Sequence, residues 1–312
     1  MTTWVIGQGG LLGSAIIRKI RQSSTEDDLF VPCPIPWSSP RASDCLIDEY
    51  RRFREQTGGG AWRILWAAGA ATVSSSRDTA MAEFGPLESL LTAIRTHPPR
   101  ADGVFFLTSS AGGVFAGSQN PPFSESSLPA PLGPYGELKL EQEVRTATEL
   151  SATCRVVIGR FSNLYGPGQN LNKLQGLISR LALAAINQQP ISIFVPLDTI
   201  RDYIYVDDAA AAALAQTENP PGQSGSSTRT IIIASGQPTT VGQVIHMMGH
   251  VTRRRIPVAH GSHPSAGAQA LDLRLTPSKG VYATTHLPEG MKAAYQDILT
   301  RVQGSQAATY QP

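Results

Sequence analysis

The fold is decided by the stretch Trp4-Val5-Ile6-Gly7-Gln8-Gly9-Gly10-Leu11-Leu12-Gly13-Ser14, in which a short apolar run leads through glycines into an apolar helix. Gly7 allows a tight turn, Gly9 or Gly10 lets backbone N–H groups approach a pyrophosphate, and Gly13 allows close packing of helix on strand. A glycine-rich turn without a ligand is the alternative. The position after a strand and before a helix favours a dinucleotide site. Its predicted contacts are Gly7, Gly9, Gly10, Leu11, Leu12 and Gly13.

Beyond this loop, short apolar runs alternate with longer segments of helical character, which predicts parallel strands joined by crossover helices. The predicted strands are Thr3 to Ile6, Leu29 to Val31, Arg63 to Trp66, Val104 to Leu107, Arg155 to Ile158 and Thr230 to Ala234. The predicted helices are Leu11 to Arg21, Met81 to Thr96, Pro134 to Leu150, Gly176 to Asn187 and Asp207 to Gln216. The pattern therefore indicates an α/β fold with a doubly wound parallel sheet.

Segments rich in proline, glycine and serine are predicted to be loops: Pro32 to Pro40, Asn120 to Pro134 and Asn219 to Ser227. Because proline cannot donate to a sheet, the second strand must be short or end at Val31. No clear acidic residue follows that strand to bond a ribose 2′-hydroxyl. Ser38 and Arg41 follow instead, a pair suited to a 2′-phosphate, so NADP and NAD both stay open; a solvated loop arginine is the alternative.

The composition excludes several classes of protein. The 312 residues are 41% hydrophobic and 16% charged, with a net charge of +2, so the chain is neither disordered throughout nor strongly basic. Its densest basic run, Arg253 to Arg255, is three residues long. The sequence thus predicts no nucleic-acid partner and no membrane partner.

The cysteines and histidines show no ligand spacing. The three scattered cysteines indicate reduced thiols, and the N-terminus lacks the basic and apolar regions of a secretion signal, so we expect a cytoplasmic protein. His246 and His250 are an i,i+4 pair without a third ligand in sequence, so no metal site is predicted. Trp62, Trp66 and Phe105 lie on candidate strands and are expected in the core.

A serine, a tyrosine and a lysine make up the candidate catalytic group. The strand through Phe105 leads into Ser109 and Ser110, and Tyr135 and Lys139 lie one turn apart on one helix face. A phenol has a pKa near 10, so a tyrosine acting as base near neutrality needs adjacent positive charge, here the ammonium of Lys139. A surface tyrosine and lysine would be the alternative if the glycine loop were absent.

With these motifs in this order, the chain resembles the extended short-chain dehydrogenase/reductase family, in its nucleotide-sugar epimerase and dehydratase branch. The resemblance runs over nearly the whole length. Its motifs are the glycine loop, Trp66 to Gly69, Ser109 to Phe115, the pair Tyr135 and Lys139, Arg160 to Gly168 and Arg201 to Asp208.

The resemblance implies a role for each matching residue. Tyr135 would be the general acid/base, Lys139 would lower its pKa and hold the nicotinamide ribose, and Ser110 would orient the sugar oxygen, with Ser109 as the fallback. Asn163 would contact the substrate diphosphate. Arg201 would pair with a phosphate, which suits its planar guanidinium, or form a structural ion pair with Asp202 or Asp207. The further implied contacts are Ala67, Ala68, Gly69 and Phe161 for the cofactor and Ala111 for the substrate.

Three features depart from the family pattern. Ala111 stands where many members have the catalytic serine or threonine, and Gly112 and Gly113 stand where dehydratases have an acid pair, which argues against a 4,6-dehydratase. The segment from Pro32 to Glu55 is irregular where the family usually has two strands. Phe194 to Asp198 departs from the usual glycine-rich stretch.

The resemblance implies a Rossmann doubly wound parallel sheet with a smaller C-terminal substrate-binding domain. Residues 1–164 plus about 202–236 would bind NAD or NADP, and residues 165–201 plus about 237–312 would bind a nucleotide-diphosphate sugar. The helices Met81 to Thr96 and Pro134 to Leu150 would form a homodimer. The leading function is a 4-epimerase; a ketoreductase or dehydrogenase that uses NADP, and a non-catalytic NADP-sensing protein, are the alternatives.

Overall fold

Most of the chain has a described structure. The computed structural model describes residues 1–23, 28–73, 75–171, 176–218, 228–261, 267 and 269–309, the last five by their backbone alone. The predicted loop from Asn219 to Ser227 lies outside these residues.

Strands and helices alternate along the first two thirds of the chain, as predicted. The strands are β1 (Thr2–Ile6), β2 (Asp28–Leu29), β3 (Trp62–Trp66), β4 (Gly103–Ser110), β5 (Arg155–Phe161), β6 (Asn163–Tyr165), β7 (Ile191–Ile193), β8 (Ile200–Tyr205), β9 (Thr228–Ile233), β10 (Pro238–Thr240) and β11 (Val258–His260). The helices are α1 (Leu11–Gln22), α2 (Ala42–Thr57), α3 (Arg77–Ala82), α4 (Phe84–Thr96), α5 (Ala111–Val114), α6 (Pro134–Leu150), α7 (Leu177–Asn187), α8 (Val206–Thr217), α9 (Val241–Thr252) and α10 (Leu287–Thr309).

The large sheet has the order β2-β1-β3-β4-β5-β9 with all its pairs parallel, which confirms the doubly wound fold. Its central strands are buried along their whole length, so their apolar runs lack alternation. The chain passes from β1 outward to β2 and returns to β3 on the other side of β1. Ligands of such sheets bind where the order reverses, here at the carboxyl ends of β1 and β3.

Helices cover both faces of this sheet. One face packs on α1 and α8, whose buried residues include Ile16, Ile20 and Ala213. The other packs on α2 and α4, through residues such as Leu46, Phe53 and Leu90. The Ala-rich segment is thus a helix, as predicted, and its small side chains let α8 approach α1.

The segment after β1 differs from the prediction. The second strand ends at Leu29 rather than Val31, because the prolines that follow cannot donate to the ladder. The supposedly irregular residues up to Glu55 include α2, whose Leu46, Tyr50 and Phe53 are buried at i, i+4 and i+7. The predicted helix from Met81 to Thr96 is two helices, which break at Glu83.

Downstream of β5, short strands and helices form a second core. Strands β10, β8 and β6 form one sheet and β11 pairs with β7. Helices α7, α9 and α10 pack together, burying Leu181, Met248 and Ile298. Because β8 belongs to this part while α8 and β9 return to the large sheet, the chain crosses between the two cores more than once. The division at 164, 201 and 236 remains a prediction.

Candidate active site

The glycine loop lies at the carboxyl end of β1. Gly7 has a φ of 90°, and a Cβ on it would lie 2.6 Å from the backbone N of Ala68. A Cβ on Gly13 would collide with the carbonyl oxygen of Gly7. Gly9 faces open space, and Gly10, which precedes α1 as its N-cap, has no side chain to cap the helix. The uncapped N–H groups and the space over Gly9 fit a pyrophosphate.

Some of the other predicted cofactor contacts lie beside the glycine loop, and others lie in the buried core. Ala67, Ala68 and Gly69 follow β3 directly beside the loop, because β1 and β3 end in register at Ile6 and Trp66. Leu12 and Phe161 are buried, and the Phe161 ring packs 6.1 Å from that of Phe106. The side chains of these two residues therefore support the sheet.

The loop after β2 carries Ser38 and Arg41 on the surface. Trp37 anchors this loop with its ring edge-on to Trp66, 6.1 Å between centroids. Among the described residues, the guanidinium of Arg41 has no ion-pair partner. The loop thus presents a free cation at the edge of the sheet where the second strand ends.

Ser110, Tyr135 and Lys139 meet at the carboxyl end of β4. The side chain of Ser110 lies beside the phenol of Tyr135, and the Lys139 Nζ lies 5.8 Å from the centroid of the Tyr135 ring. Burial raises the pKa of Tyr135, and the hydrogen bond from Ser110 opposes that rise. Burial lowers the pKa of Lys139, opposed by the carboxylates of Glu83 and Glu143.

Two glycines allow this contact. A Cβ on Gly113 would lie 3.1 Å from Cε1 of Tyr135, and one on Gly136 would collide with the carbonyl oxygen of Gly113. Helix α6 therefore packs backbone to backbone against the turn after Ser110. Ser110 itself caps that turn by accepting a bond from the Gly113 N–H at 3.1 Å.

The two adjacent serines have different surroundings. Ser109 is buried and donates to the carboxylate of Glu143 at 2.5 Å, whereas Ser110 lies beside Tyr135. Arg160 also binds Glu143, with its Nη2 2.7 Å from Oε2. Of the two serines, Ser110 is therefore the one that lies beside the candidate base Tyr135.

The side chains of two predicted substrate contacts are engaged within the protein. Ala111 is fully buried with Val114 and Phe115, so its side chain supports the core. Asn163 donates to the backbone carbonyl of Asp202 at 2.8 Å, which holds β6 beside β8. The amide oxygen of Asn163 has no hydrogen-bond partner among the described residues.

Arg201 is held by neither predicted aspartate in the described residues. Its guanidinium, on a residue 9% exposed, donates to the carbonyl oxygens of Ile200 and Ala270, at 2.9 and 2.7 Å. Asp202 accepts from Ser235, and Asp207 pairs with Arg18. The alternative of an ion pair with either aspartate is not found among the described residues, and the phosphate contact remains a prediction. Burial lowers the pKa of Arg201.

Sequence reasoning missed Glu83, Gln142 and the pair of Glu143 with Arg160. Gln142 accepts from the Lys139 Nζ at 3.1 Å. Glu143 lies one turn beyond Lys139, which is a helical spacing that could have pointed to it. Glu83 carries no such signal, because its place depends on the break between α3 and α4.

We also searched the described residues for a metal site and for a membrane-spanning helix. No group of three or more metal-binding side chains occurs within them. His246 and His250 lie on α9 with their Nε2 atoms 3.0 Å apart, far along the chain from the catalytic group. Nor is any helix of the described part long and apolar enough to cross a membrane.

Part of the chain is similar in sequence to known nucleotide-sugar enzymes. A reductase from Escherichia coli, dTDP-4-dehydro-6-deoxyglucose reductase, is 27% identical over 198 residues, 61% of this chain and 60% of that protein. The dTDP-L-rhamnose 4-epimerase of Burkholderia thailandensis is 31% identical over 123 residues, 39% of this chain and 33% of that protein. The matched stretches therefore span less than two thirds of either relative.

The fold is shared with solved enzymes over nearly the whole chain. The UDP-glucose 4-epimerase of Thermotoga maritima, solved with UDP-glucose, covers 97% of this chain and all of its own, with a TM-score of 0.80 and 20% identity. The model of the NAD dependent epimerase/dehydratase family matches residues 62–231, which include Ser110, Tyr135 and Lys139. The resemblance seen in the sequence is confirmed: the chain belongs to the NAD dependent epimerase/dehydratase family.

Proposed function

We propose that the protein is an NAD(P)-dependent nucleotide-sugar epimerase of the 4-epimerase type. The observation that carries the proposal is the meeting of Ser110, Tyr135 and Lys139 at the same sheet edge as the glycine loop. The relatives support it, since they include a 4-epimerase of a dTDP-sugar and a structural neighbour with UDP-glucose.

The residues of the site suit reversible oxidation of a sugar hydroxyl. The glycine loop would hold the pyrophosphate, and Lys139 would hold the nicotinamide ribose. When bound, the nicotinamide takes up a hydride and returns it. Ser110 orients the sugar hydroxyl, and Tyr135 removes its proton and later returns it. The ammonium of Lys139 stabilises the tyrosinate, because an adjacent positive charge lowers the pKa of a phenol.

A second candidate is a ketoreductase or dehydrogenase that uses NADP. It is favoured by the unpaired, exposed Arg41 and by the absence of an acidic residue at the end of β2. The relative from Escherichia coli is named a reductase. An arginine at this place suits a 2′-phosphate, whereas an acidic residue would favour the free hydroxyl of NAD.

The proposal also includes the substrate, the oligomeric state and the cellular compartment. The substrate is a nucleotide-diphosphate sugar, whose diphosphate Asn163 and Arg201 would contact once Arg201 turns from the carbonyls it now binds. A homodimer through α4 and α6 is supported by their packing side by side and by Val144, which is 60% exposed on their outer face. The expected compartment is the cytoplasm.

The test combines cofactor titration with turnover. Protein stripped of nucleotide is titrated with NAD and NADP, and then given UDP-glucose or dTDP-glucose while the 4-epimer is measured. We expect tight binding of NAD and conversion without net use of cofactor. Consumption of NADPH would support the reductase, and binding without turnover would support the sensing protein.

The variant Tyr135→Phe tests the mechanism. It should abolish turnover and leave cofactor affinity nearly unchanged, because it removes only the hydroxyl that exchanges the proton. Tyr282→Phe is the matched control, since Tyr282 is 75% exposed and lies far along the chain from Tyr135. Turnover by Tyr135→Phe at the wild-type rate would refute the proposed role.

A further inference from the structure

Glu83 stands beside the catalytic group without a role in the mechanism above. The break between α3 and α4 falls at this residue and turns its side chain back over the segment that follows β3. There its Oε1 accepts hydrogen bonds from the backbone N–H groups of Ala70 and Ala71. The carboxylate is thereby fixed in position by one of its two oxygens.

The other oxygen is unused. Oε2 of Glu83 is covered by protein and has no hydrogen-bond partner among the described residues. A buried carboxylate oxygen without a partner is costly, so such an atom calls for an explanation. A donor from a bound ligand would supply one.

The ammonium of Lys139 approaches the same point. A Cβ built on Gly69 would lie 3.6 Å from Oε2 of Glu83 and 3.7 Å from Nζ of Lys139. The ammonium has three N–H donors, and Gln142 takes one of them. A hydrogen-bond acceptor, Oε2 of Glu83, and a donor, Nζ of Lys139, therefore both border the space where Gly69 has no side chain. Gly69 itself is exposed.

We propose that Glu83 and Lys139 together clamp the ribose next to the nicotinamide, with Glu83 accepting a hydrogen bond from a ribose hydroxyl over Gly69. A hydroxyl both donates and accepts, so one diol satisfies Oε2 of Glu83 and a free N–H of Lys139 at once. This inference rests on the proposed function, which places the cofactor at the carboxyl ends of β1 and β3. It makes Glu83 a specificity-determining residue for that ribose.

The variant Glu83→Gln isolates this contact. Its amide oxygen can still accept from Ala70 and Ala71, while its amide nitrogen replaces Oε2 with a donor. ADP-ribose carries the second ribose and ADP lacks it, so the difference between their affinities, measured by calorimetry, reports the clamp without any turnover. Glu141→Gln, on the exposed side of α6, removes the same charge and serves as the control.

We expect Glu83→Gln to weaken ADP-ribose about 10-fold or more, the size of a hydrogen bond to a charged group, and to leave ADP unchanged. The control should change neither. An equal loss for ADP and ADP-ribose would mean a distorted 69–71 segment and would overturn the inference, as would no loss for ADP-ribose. Failure of wild-type protein to bind either nucleotide would overturn the proposed function itself.

Discussion

The buried pair of Arg160 and Glu143 offers the sharpest test of how the site is held together. Nε of Arg160 lies 3.0 and 3.2 Å from the two Glu143 oxygens, and Nη2 lies 2.7 Å from Oε2. The two side chains are 7% and 5% exposed. Ser109 adds a hydroxyl to the same carboxylate, and Arg160 lies 5.0 Å above the Phe115 ring. The pair thus joins α6 to β4 and β5 directly behind the catalytic group.

Replacing Arg160 by Met should cost about 3–5 kcal/mol of unfolding free energy, because a buried carboxylate then keeps a single hydroxyl as partner. The double variant with Glu143→Leu should recover most of that loss, since apolar residues of similar volume often replace a buried pair at little cost. About 1–3 kcal/mol should remain, for the Ser109 hydroxyl left without an acceptor.

Urea unfolding followed by circular dichroism gives the free energies of the wild type, both single variants and the double variant. The matched control is Arg51→Met, which breaks the fully exposed pair of Arg51 with Asp48 and should change stability little. The reasoning would be refuted by a loss below about 1 kcal/mol in Arg160→Met, or by single effects that simply add in the double variant.

Two further predictions concern the glycine loop and the proposed acid/base pair. Gly13→Ala should destabilise the protein by about 1–3 kcal/mol and weaken NAD binding, because the new Cβ meets the backbone carbonyl of Gly7. Gly9→Ala places its Cβ in open space and should not destabilise the protein; thermal unfolding measures the stability and calorimetry the NAD affinity. The proposed base Tyr135 would act when deprotonated, and burial raises its pKa, so turnover should increase with pH. Lys139→Met should shift that increase to higher pH, and an unshifted pH–rate profile would contradict the proposed role.

Much of the fold could be predicted because its signals are local. The glycine loop, the apolar strands and the Pro134 start of α6 each reflect constraints within a few residues, such as a positive φ or a missing N–H. Helix α2 escaped prediction because its segment is highly charged and follows a run of prolines. Its three buried residues become evident only once Trp4 and Phe30 are seen to pack on Phe53.

The candidate site shows the same limit. Tyr135 and Lys139 were identified because one helix carries both at a fixed spacing. The resemblance favoured Ser110, with Ser109 as the fallback, but their surroundings could not be predicted, since adjacent strand residues point to opposite faces and only the packed helix shows which face holds Tyr135. Arg201 was expected to contact a phosphate, with an aspartate as the alternative; in the structure it binds the carbonyl of its neighbour Ile200 and that of Ala270, which lies 69 residues further along the chain.

By itself, the sequence determined the fold class, the family and the candidate catalytic pair, because these depend on residue types at short, fixed spacings. The tertiary structure alone decided that Ser109 supports the Glu143 network, that Ser110 meets Tyr135, and that Glu83 and Lys139 both lie beside Gly69. Each of these contacts joins elements distant along the chain. Their partners are chosen by how helices pack on the sheet, which no local pattern encodes.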